Sequence, residues 1–195
     1  MNQESTEPLA DARRWELFLQ GDERAFEQLY HQYYHLLFNY GYRLSTDKEL
    51  IREGIQHLFV KLWTSRGGLS ATPHVKQYLF KAFRNHLLSL LEQNRKAAFL
   101  PEDDVSLVQD SREEKIIRLE TDWQNSRKIQ ELLATLTPRQ KEAIHLRFFG
   151  NLSYEEIASV MDMQVGGTYK LIYRALERLR ECSPIFFMIG CWIGL

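Results

Sequence analysis

A group of cationic and aromatic side chains towards the C-terminal end of the chain is of the type that contacts DNA. Its members are Tyr169, Lys170, Tyr173, Arg174 and Arg178. Lys170 and Arg174 have the i, i+4 spacing that places both side chains on one face of a helix. Such a face can donate hydrogen bonds to guanine, neutralise phosphates and pack aromatic rings on sugars or thymine methyl groups. A solvated basic face on a plain helical bundle is the other interpretation of the same pattern.

The sequence around these residues predicts short helices joined by sharp turns. Thr137 and Gln140 can form a capping box at the start of the first helix, and Gly150-Asn151 ends it. Ser153 and Glu156 can form a second capping box. The last helix has its apolar residues at helical spacing, and these are Leu171, Ile172, Ala175, Leu176 and Leu179. The last two helices therefore have helix-turn-helix proportions, in which the second helix of the pair enters a major groove of DNA.

The start of the last helix is irregular. Gly166 and Gly167 stand next to each other before Thr168, and a glycine inside a helix costs about 1 kcal/mol. We therefore expect this helix to begin late, at Thr168, or to form fully only on DNA.

Composition limits the classes of protein to which the chain can belong. It has 195 residues, of which 44% are hydrophobic and 26% charged, so it can form a buried core. The net charge is −1, which does not suit a protein that binds nucleic acid by bulk charge alone. Contact with DNA must come from local basic patches or with the help of a partner.

The sequence carries no pattern typical of an enzyme. We find no Ser/His/Asp set, no glycine-rich phosphate loop and no metal-ligand spacing, so we expect no catalysis, metal, cofactor or small-molecule substrate. Cys182 and Cys191 are expected to be reduced thiols. The N-terminus lacks the basic start and apolar run of a signal peptide, which predicts a cytoplasmic protein.

Apolar residues recur at helical spacing through residues 10–97. Helices are expected over Leu9–Leu19, from Glu23 towards Leu44, from a cap at Ser45 or Thr46 to Trp63, and from His74 to Lys96. No segment reads as a strand. The predicted fold is therefore all-α, with two small helical domains joined by a flexible linker, the second of them a helix-turn-helix domain.

The predicted domains are separated and followed by segments of different composition. Residues 98–125 are acidic and weakly periodic, which is typical of a linker, and the second domain is expected over 126–182. The tail, 183–195, is almost wholly apolar but shorter than the roughly twenty residues that span a bilayer. It can pack on the protein itself, which we favour, dock on a partner protein or touch a membrane surface. A tail folded into the cleft between the domains is our hypothesis for an inactive state.

Motifs in both domains resemble those of the extracytoplasmic-function (ECF) sigma factors, a family of small two-domain bacterial transcription initiation factors. Residues 25–44 resemble the opening of the first conserved domain, and Ile55–Trp63, IQHLFVKLW, resembles its polymerase-binding helix. Residues 78–96 resemble the helix that opens the −10 promoter element. Residues 136–180 resemble the domain that reads the −35 element. The resemblance covers roughly residues 10–181.

This resemblance implies binding to core RNA polymerase through the helix that ends at Trp63. Family members usually expose an acidic residue, a glutamine and a second acidic residue on this helix. Glu53 and Gln56 match that pattern, whereas His57 cannot supply the second carboxylate. The polymerase-binding residues implied by the resemblance are Glu53, Gln56, His57, Val60, Lys61 and Trp63.

The resemblance also implies two sets of contacts to promoter DNA. Strand opening at the −10 element needs cations and a pocket for an unstacked base, and the residues that match are Tyr78, Lys81, Arg84, Asn85, Arg95 and Lys96. Core packing is the alternative for Tyr78. For the −35 element, Arg147, Tyr154 and Thr168 join the group on the last helix.

The function implied is that of an alternative sigma factor, which binds core RNA polymerase and directs promoter-specific initiation of DNA-templated transcription. The resemblance also implies control by an anti-sigma factor, which can be membrane-bound. Two alternatives stay open. One is a stand-alone helix-turn-helix regulator that binds DNA without polymerase. The other is a degenerate sigma-like protein that titrates partners.

Overall fold

A computed structural model describes residues 7–97 and 133–182 of the chain, and these residues are helical with no strand among them. The helices are α1 (Glu7–Leu19), α2 (Glu23–Gly41), α3 (Lys48–Ser65), α4 (Val75–Ala97), α5 (Pro138–Phe148), α6 (Tyr154–Val160) and α7 (Val165–Cys182), with a 3₁₀ turn at Arg66–Gly68. The all-α prediction is confirmed. The predicted linker at 98–125 and the apolar tail at 183–195 lie outside the described residues, as does the start of the predicted second domain.

Local hydrogen bonds explain where α2 and α3 begin. The side chain of Asp22 accepts from the backbone N–H of Ala25, at 2.9 Å, and that of Asp47 accepts from Leu50, at 3.1 Å. The prediction that Ser45 or Thr46 caps α3 is therefore wrong, because Asp47 stands in the capping position. Helix α2 ends at Gly41, before the predicted limit near Leu44.

Helices α1–α4, the N-terminal group, enclose a core rich in aromatic side chains. The rings of Trp15 and Phe18 of α1 lie 5.1 Å apart, with their planes tilted at 58°. Each is buried, because α1 packs on α2 and α4, and α3 packs on α2 and α4. The largest other fully buried side chains of this core are Leu29, Tyr33, Leu37, Tyr40, Ile51, Ile55, Leu79, Phe80, Phe83 and Leu87.

Helices α5–α7, the C-terminal group, begin with the capping boxes expected from the sequence. Thr137 and Gln140 exchange side-chain and backbone hydrogen bonds at the start of α5, and Ser153 and Glu156 do so at the start of α6. Each box satisfies backbone N–H groups that the first turn of a helix leaves unpaired. Both predictions are confirmed.

Helix α7 begins at Val165, so the prediction of a late start at Thr168 is wrong. The carbonyl of Gln164 accepts from the backbone N–H groups of Gly167 and Thr168, at 2.9 and 3.0 Å, and from the Thr168 hydroxyl, at 3.3 Å. Thr168 is fully buried. Tertiary packing of this one side chain and three hydrogen bonds to one carbonyl offset the cost of the two glycines.

The two helical groups pack against each other. Helix α4 contacts α6, and α2 contacts α5. Polar side chains cross this boundary at several points, and two of them, Lys81 and Arg84 of α4, are predicted DNA-contact residues.

Two helical glycines of the N-terminal group predict opposite effects of an added methyl group. A Cβ at Gly41 would lie 2.8 Å from Cγ2 of buried Ile51, whereas one at Gly54 would meet nothing closer than 3.4 Å. We expect Gly41→Ala to lower the free energy of unfolding by about 1–3 kcal/mol through overpacking. Gly54→Ala should raise it by up to about 1 kcal/mol through helix propensity. Urea denaturation of both variants measures this, and equal effects would contradict the described packing of α2 on α3.

Candidate nucleic-acid and polymerase interfaces

The outer face of α7 is cationic, aromatic and open to solvent. Tyr169 is 48% exposed and Tyr173 63% exposed, an unusual degree for rings of this size. Lys170, Arg174 and Arg178 are exposed on the same helix. These side chains can reach a DNA groove without rearrangement. Thr168 cannot, because it is buried with its hydroxyl bonded to Gln164, so its place in the predicted contact set is not supported by its position.

Side chains from all three C-terminal helices form a stack beside this face. The rings of Tyr154 (α6) and Tyr169 (α7) lie 4.0 Å apart at 16°. The Arg147 guanidinium (α5) lies 5.0 Å from the centroid of Tyr154, and Nη1 of Arg147 donates to the carbonyl of Leu152, at 2.9 Å. Because each layer restrains the next, the orientation of Tyr169 is fixed before any ligand binds.

The predicted polymerase-binding residues form an exposed strip along α3. Glu53, Gln56, His57 and Lys61 are exposed, and Val60 is 55% exposed. Trp63 differs from them. It is half-buried, and its ring lies 5.0 Å from that of Phe26 and 4.3 Å from the Arg66 guanidinium.

An apolar groove lies beside this strip, between α2 and α3. Its volume is about 260 Å³, and its lining residues are Phe26, Tyr30, Gln56, Phe59, Val60, Trp63 and Thr64. Phe59 is buried at its floor. The strip therefore combines an apolar groove with polar side chains, the composition that protein interfaces use.

His57 stacks on His86 of α4, with ring centroids 4.3 Å apart and planes at 17°. Burial, and then the nearby His57 and Lys61, lower the pKa of His86, while Glu53 acts in the opposite direction. Nε2 of His86 is buried without a hydrogen-bond partner. His57, at which the sequence departs from the family pattern, is thus part of a stacked pair of rings rather than an isolated substitution.

The predicted −10 residues of α4 divide into two sets. Tyr78, Asn85, Arg95 and Lys96 are exposed, although Tyr78 also packs edge-on against Trp15, at 5.3 Å. Lys81 and Arg84 instead face the C-terminal group. Nζ of Lys81 lies 3.4 Å from Oγ of Ser159, and Arg84 makes an ion pair with α5.

That ion pair centres on the buried carboxylate of Glu142. Oε1 of Glu142 accepts from Nε of Arg84, at 2.7 Å, and from the hydroxyl of Tyr40, at 2.7 Å. Burial, followed by the negative charge of Glu142, raises the pKa of Tyr40 well above its ordinary value. Burial acts to lower the pKa of Arg84, but the hydrogen bond to Glu142, the negative charge of Glu142 and the contact with Tyr40 together outweigh it, so the pKa rises. In this arrangement, therefore, Arg84 is a paired buried cation and not a free DNA contact.

His145 adjoins the same contact. Its ring lies between those of Tyr40, at 6.1 Å, and Phe149, at 5.2 Å, and Nε of Arg43 donates to its Nδ1, at 3.4 Å. Burial, and then the charge of Arg43, lower the pKa of His145 to about 3. The imidazole is therefore neutral at physiological pH.

Sequence reasoning missed Tyr40, Glu142, Arg43 and His145. The available signal was weak. Glu142 and His145 interrupt an otherwise apolar α5 face that includes Ala143, Ile144 and Leu146, but polar residues at such spacing are equally common on solvated faces.

Comparison with known proteins agrees with this geometry. Residues 126–179 match the family described as sigma-70, region 4. The RNA polymerase sigma-H factor of Pseudomonas aeruginosa is 28% identical over 170 residues, which are 82% of this chain and 86% of that protein. The ECF RNA polymerase sigma factor SigM of Bacillus subtilis is 21% identical, over 79% of this chain and 92% of the relative.

Residues 126–179 thus carry a sigma-70 region 4 domain, and over about four fifths of its length the chain is similar to sigma factors, SigM of the ECF type among them. Two solved structures share its fold. CnrH in complex with the cytosolic domain of CnrY gives a TM-score of 0.62 at 21% identity and covers 88% of this chain and 96% of that one. The sigma factor RpoE of Bartonella quintana, in complex with the anti-sigma factor NepR, gives 0.57 at 20% identity, with coverage of 80% and 95%.

Within this sigma factor, the region 4 match contains α5, α6 and all but the last residues of α7. The exposed basic and aromatic face of α7 and the Arg147–Tyr154–Tyr169 stack therefore both belong to region 4. No helix among the described residues of the sigma factor is long and apolar enough to span a membrane.

The lowered pKa of His145 predicts a loss of stability in acid. The unfolded chain binds this proton near pH 6.5 and the folded chain only near pH 3, so stability falls as the pH drops below neutrality. We expect about 1 kcal/mol less free energy of unfolding at pH 5.5 than at pH 7 from this group. His145→Phe keeps an aromatic ring and removes the proton site. Urea titrations at both pH values should show a loss that is larger in the wild type by this amount, because the loss from His86 is common to both proteins. An equal loss in both would contradict the assignment.

The aromatic stack predicts that Tyr154 positions Tyr169. Tyr154→Ala removes the middle layer, so Tyr169 loses its fixed orientation while staying exposed. We expect affinity for a duplex that carries the −35 element to fall by about fivefold, since an aromatic pair of this kind contributes about 0.5–1.5 kcal/mol. Tyr154→Phe keeps the ring and is the control. Fluorescence anisotropy measures both, and equal losses would show that the hydroxyl matters and the stack does not.

Proposed function

We propose that this sigma factor binds core RNA polymerase and directs it to specific promoters through contacts to both the −10 and the −35 elements. The observation that carries the proposal is that sigma factor similarity extends over 82% of the chain while two separate contact faces, on α3 and α7, are exposed as such a function requires. The protein performs no reaction of its own. It acts where the polymerase is, in the cytoplasm.

The domain assignment belongs to the same proposal. Residues 10–97 form the domain that binds polymerase and opens the −10 element, and residues 126–182 form the region 4 domain. Residues 98–125 connect them, and 183–195 follow as a separate apolar segment. The grouping of α1–α4 around one aromatic core and the region 4 match at 126–179 support this division.

The exposed strip on α3 is the proposed polymerase contact. Glu53 and Gln56 supply polar groups, and Val60 with the neighbouring groove supplies apolar area. His57 contributes an aromatic pair with His86 in place of a carboxylate. This contact therefore lacks the second carboxylate of the family pattern, and the polymerase surface opposite has one basic group fewer to satisfy.

The α7 face is the proposed reader of the −35 element. Lys170 and Arg174 are the candidates for guanine in the major groove, and Tyr169 and Tyr173 for sugars or thymine methyl groups. Arg178, farther along the helix, suits a phosphate. Arg147 acts through the stack, because its guanidinium lies against Tyr154.

Control by an anti-sigma factor is part of the proposal. One structure that shares the fold is RpoE in complex with the anti-sigma factor NepR. The groove between α2 and α3 and the strip beside it offer such a partner the same surface that polymerase needs, so the two would exclude each other. The partner can itself be anchored in a membrane and present a cytosolic segment.

Reconstituted transcription tests the function. We expect the purified sigma factor to co-purify with bacterial core RNA polymerase and to support run-off transcription from a promoter selected with the complex. Polymerase binding without initiation would instead favour a sigma-like protein that titrates partners. Duplex binding without any polymerase binding would favour a stand-alone helix-turn-helix regulator.

The histidine pair predicts how the polymerase contact can be strengthened. His57→Asp restores the carboxylate that relatives carry at this position and places it beside Lys61 and His86. We expect affinity for core polymerase to rise by about threefold to tenfold at low salt and the gain to shrink at high salt, because the added attraction is between exposed charges. His57→Asn is the uncharged control. Competition binding against a reference sigma factor measures the effect, and equal affinities for the two variants would show that the charge is irrelevant.

A further inference from the structure

The contact between the two helical groups has the donors of an anion site. Tyr40 and Arg84 come from α2 and α4, yet the Tyr40 hydroxyl and Arg84 Nε converge on a single oxygen, Oε1 of Glu142, each at 2.7 Å. Two donors aimed at one anionic oxygen is also the arrangement by which proteins hold a phosphate oxygen. Glu142 is 4% exposed, so it fills this position completely in the described arrangement.

We propose that Tyr40 and Arg84 form a binding site for a backbone phosphate of single-stranded promoter DNA, and that the Glu142 carboxylate occupies this site when the two helical groups are packed together. The inference rests on the proposed function, because it assigns Arg84 and Tyr40 to the strand that the −10 helix holds. It adds Tyr40 as a DNA contact and Glu142 as an internal competitor of the DNA.

The chemistry of Tyr40 supports this assignment. Its ring belongs to the core of the N-terminal group, 5.2 Å from that of Phe80 and tilted to it at 39°, and only its hydroxyl is polar. A buried hydroxyl that lacks a partner is costly. Glu142 satisfies it when the groups are together, and an anion or water must do so when they are apart. A phenylalanine would pack equally well in this core. The role of the Tyr40 hydroxyl is therefore binding and not packing.

The surroundings of the site place other cations of the N-terminal group close by. Nζ of Lys81, one turn before Arg84 on α4, lies 3.4 Å from Ser159 Oγ, and Arg43 Nε lies 3.4 Å from His145 Nδ1. Both of these partners are uncharged. The carboxylate of Glu142 pairs with Arg84, and that of Glu156, farther along, lies 3.7 Å from His74. When α5 and α6 leave, Lys81, Arg84 and Tyr40 become one uncovered basic surface along which a strand can lie.

Single-stranded DNA binding by the full chain tests the inference. The probe is a short fluorescein-labelled oligonucleotide with the sequence of the opened −10 strand, followed by anisotropy. We expect Glu142→Ala to bind it at least about fivefold more tightly than the wild type, because apparent affinity scales with the fraction of molecules whose site is free. The slope of log K against log salt should steepen by about 0.7, as expected for one more phosphate contact on a single strand.

The decisive comparison is Arg84→Ala in two backgrounds. In the wild type it should not lower affinity by more than about twofold, since Glu142 already occupies Arg84 in most molecules. In the Glu142→Ala background it should remove most of the gain, and Tyr40→Phe should remove part of it. Equal losses from Arg84→Ala in both backgrounds would overturn the inference, as would a Glu142→Ala variant that binds no more tightly than the wild type.

Two further variants keep the result interpretable. Glu155→Ala removes the same charge from an exposed position on α6, so a gain equal to that of Glu142→Ala would show a general effect of net charge and overturn the inference. If Glu142→Ala does not unfold cooperatively, Glu142→Gln replaces it, since the amide keeps the shape and an acceptor oxygen but loses the charge; the same direction of change is expected.

The run-off assay separates this inference from the proposed function. If the wild-type chain initiates transcription but Glu142→Ala leaves single-strand binding unchanged, only the proposal of a shared anion site is contradicted. If the wild-type chain neither binds polymerase nor initiates transcription, the proposed function is contradicted, whatever the result of the oligonucleotide binding.

Discussion

The arrangement of this sigma factor depends on one buried carboxylate. Glu142 lies between two helical groups that are otherwise held together by side-chain packing and a few long polar contacts. Its charge is compensated only because Arg84 and Tyr40 reach it from the other group. Removing one member of a buried ion pair leaves the other uncompensated at a cost of about 3–5 kcal/mol. Two arrangements are therefore favourable. In one the groups are packed and all three side chains are paired, and in the other the groups are apart and water solvates each charge. A half-formed contact is unfavourable.

This constraint divides the functional surfaces unequally. The α3 strip and the α7 face are both open to solvent in the packed arrangement, so polymerase and the upstream promoter element can be met at once. Lys81 and Arg84 of α4 instead face the C-terminal group, so the single-strand contacts that we propose for this part of α4 are withheld in the packed arrangement. Recognition and strand opening thus differ in what they require of the same molecule. In the proposed function, recognition needs only the exposed α3 strip and α7 face, whereas strand opening needs the two helical groups to separate. Binding energy from polymerase and duplex DNA is available to drive that separation.

Features that depend on neighbouring residues could be predicted from the sequence. Features that depend on residues far apart in the chain could not. Both capping boxes of the C-terminal group could be read directly, because Thr137–Gln140 and Ser153–Glu156 interact within one turn. The inner and outer faces of α7 followed from helical spacing. Its start did not, because burial of Thr168 is a tertiary effect. The pairing of Arg84 with Glu142 joins residues 58 positions apart, and nothing in either local sequence distinguishes these charges from solvated ones. The roles of the α3 and α4 residues came from family resemblance, and their predicted contacts remain to be tested.

The order of these residues along the chain has a consequence during synthesis. Tyr40 and Arg84 are translated before Glu142, and 58 residues separate Arg84 from it. At about 5–20 residues per second, the ribosome needs roughly 3–12 s to add that segment. The N-terminal group can fold within this interval. Every newly made molecule therefore passes through a period in which its basic α4 surface is folded and uncovered, before the helix that carries its own anion has left the ribosome.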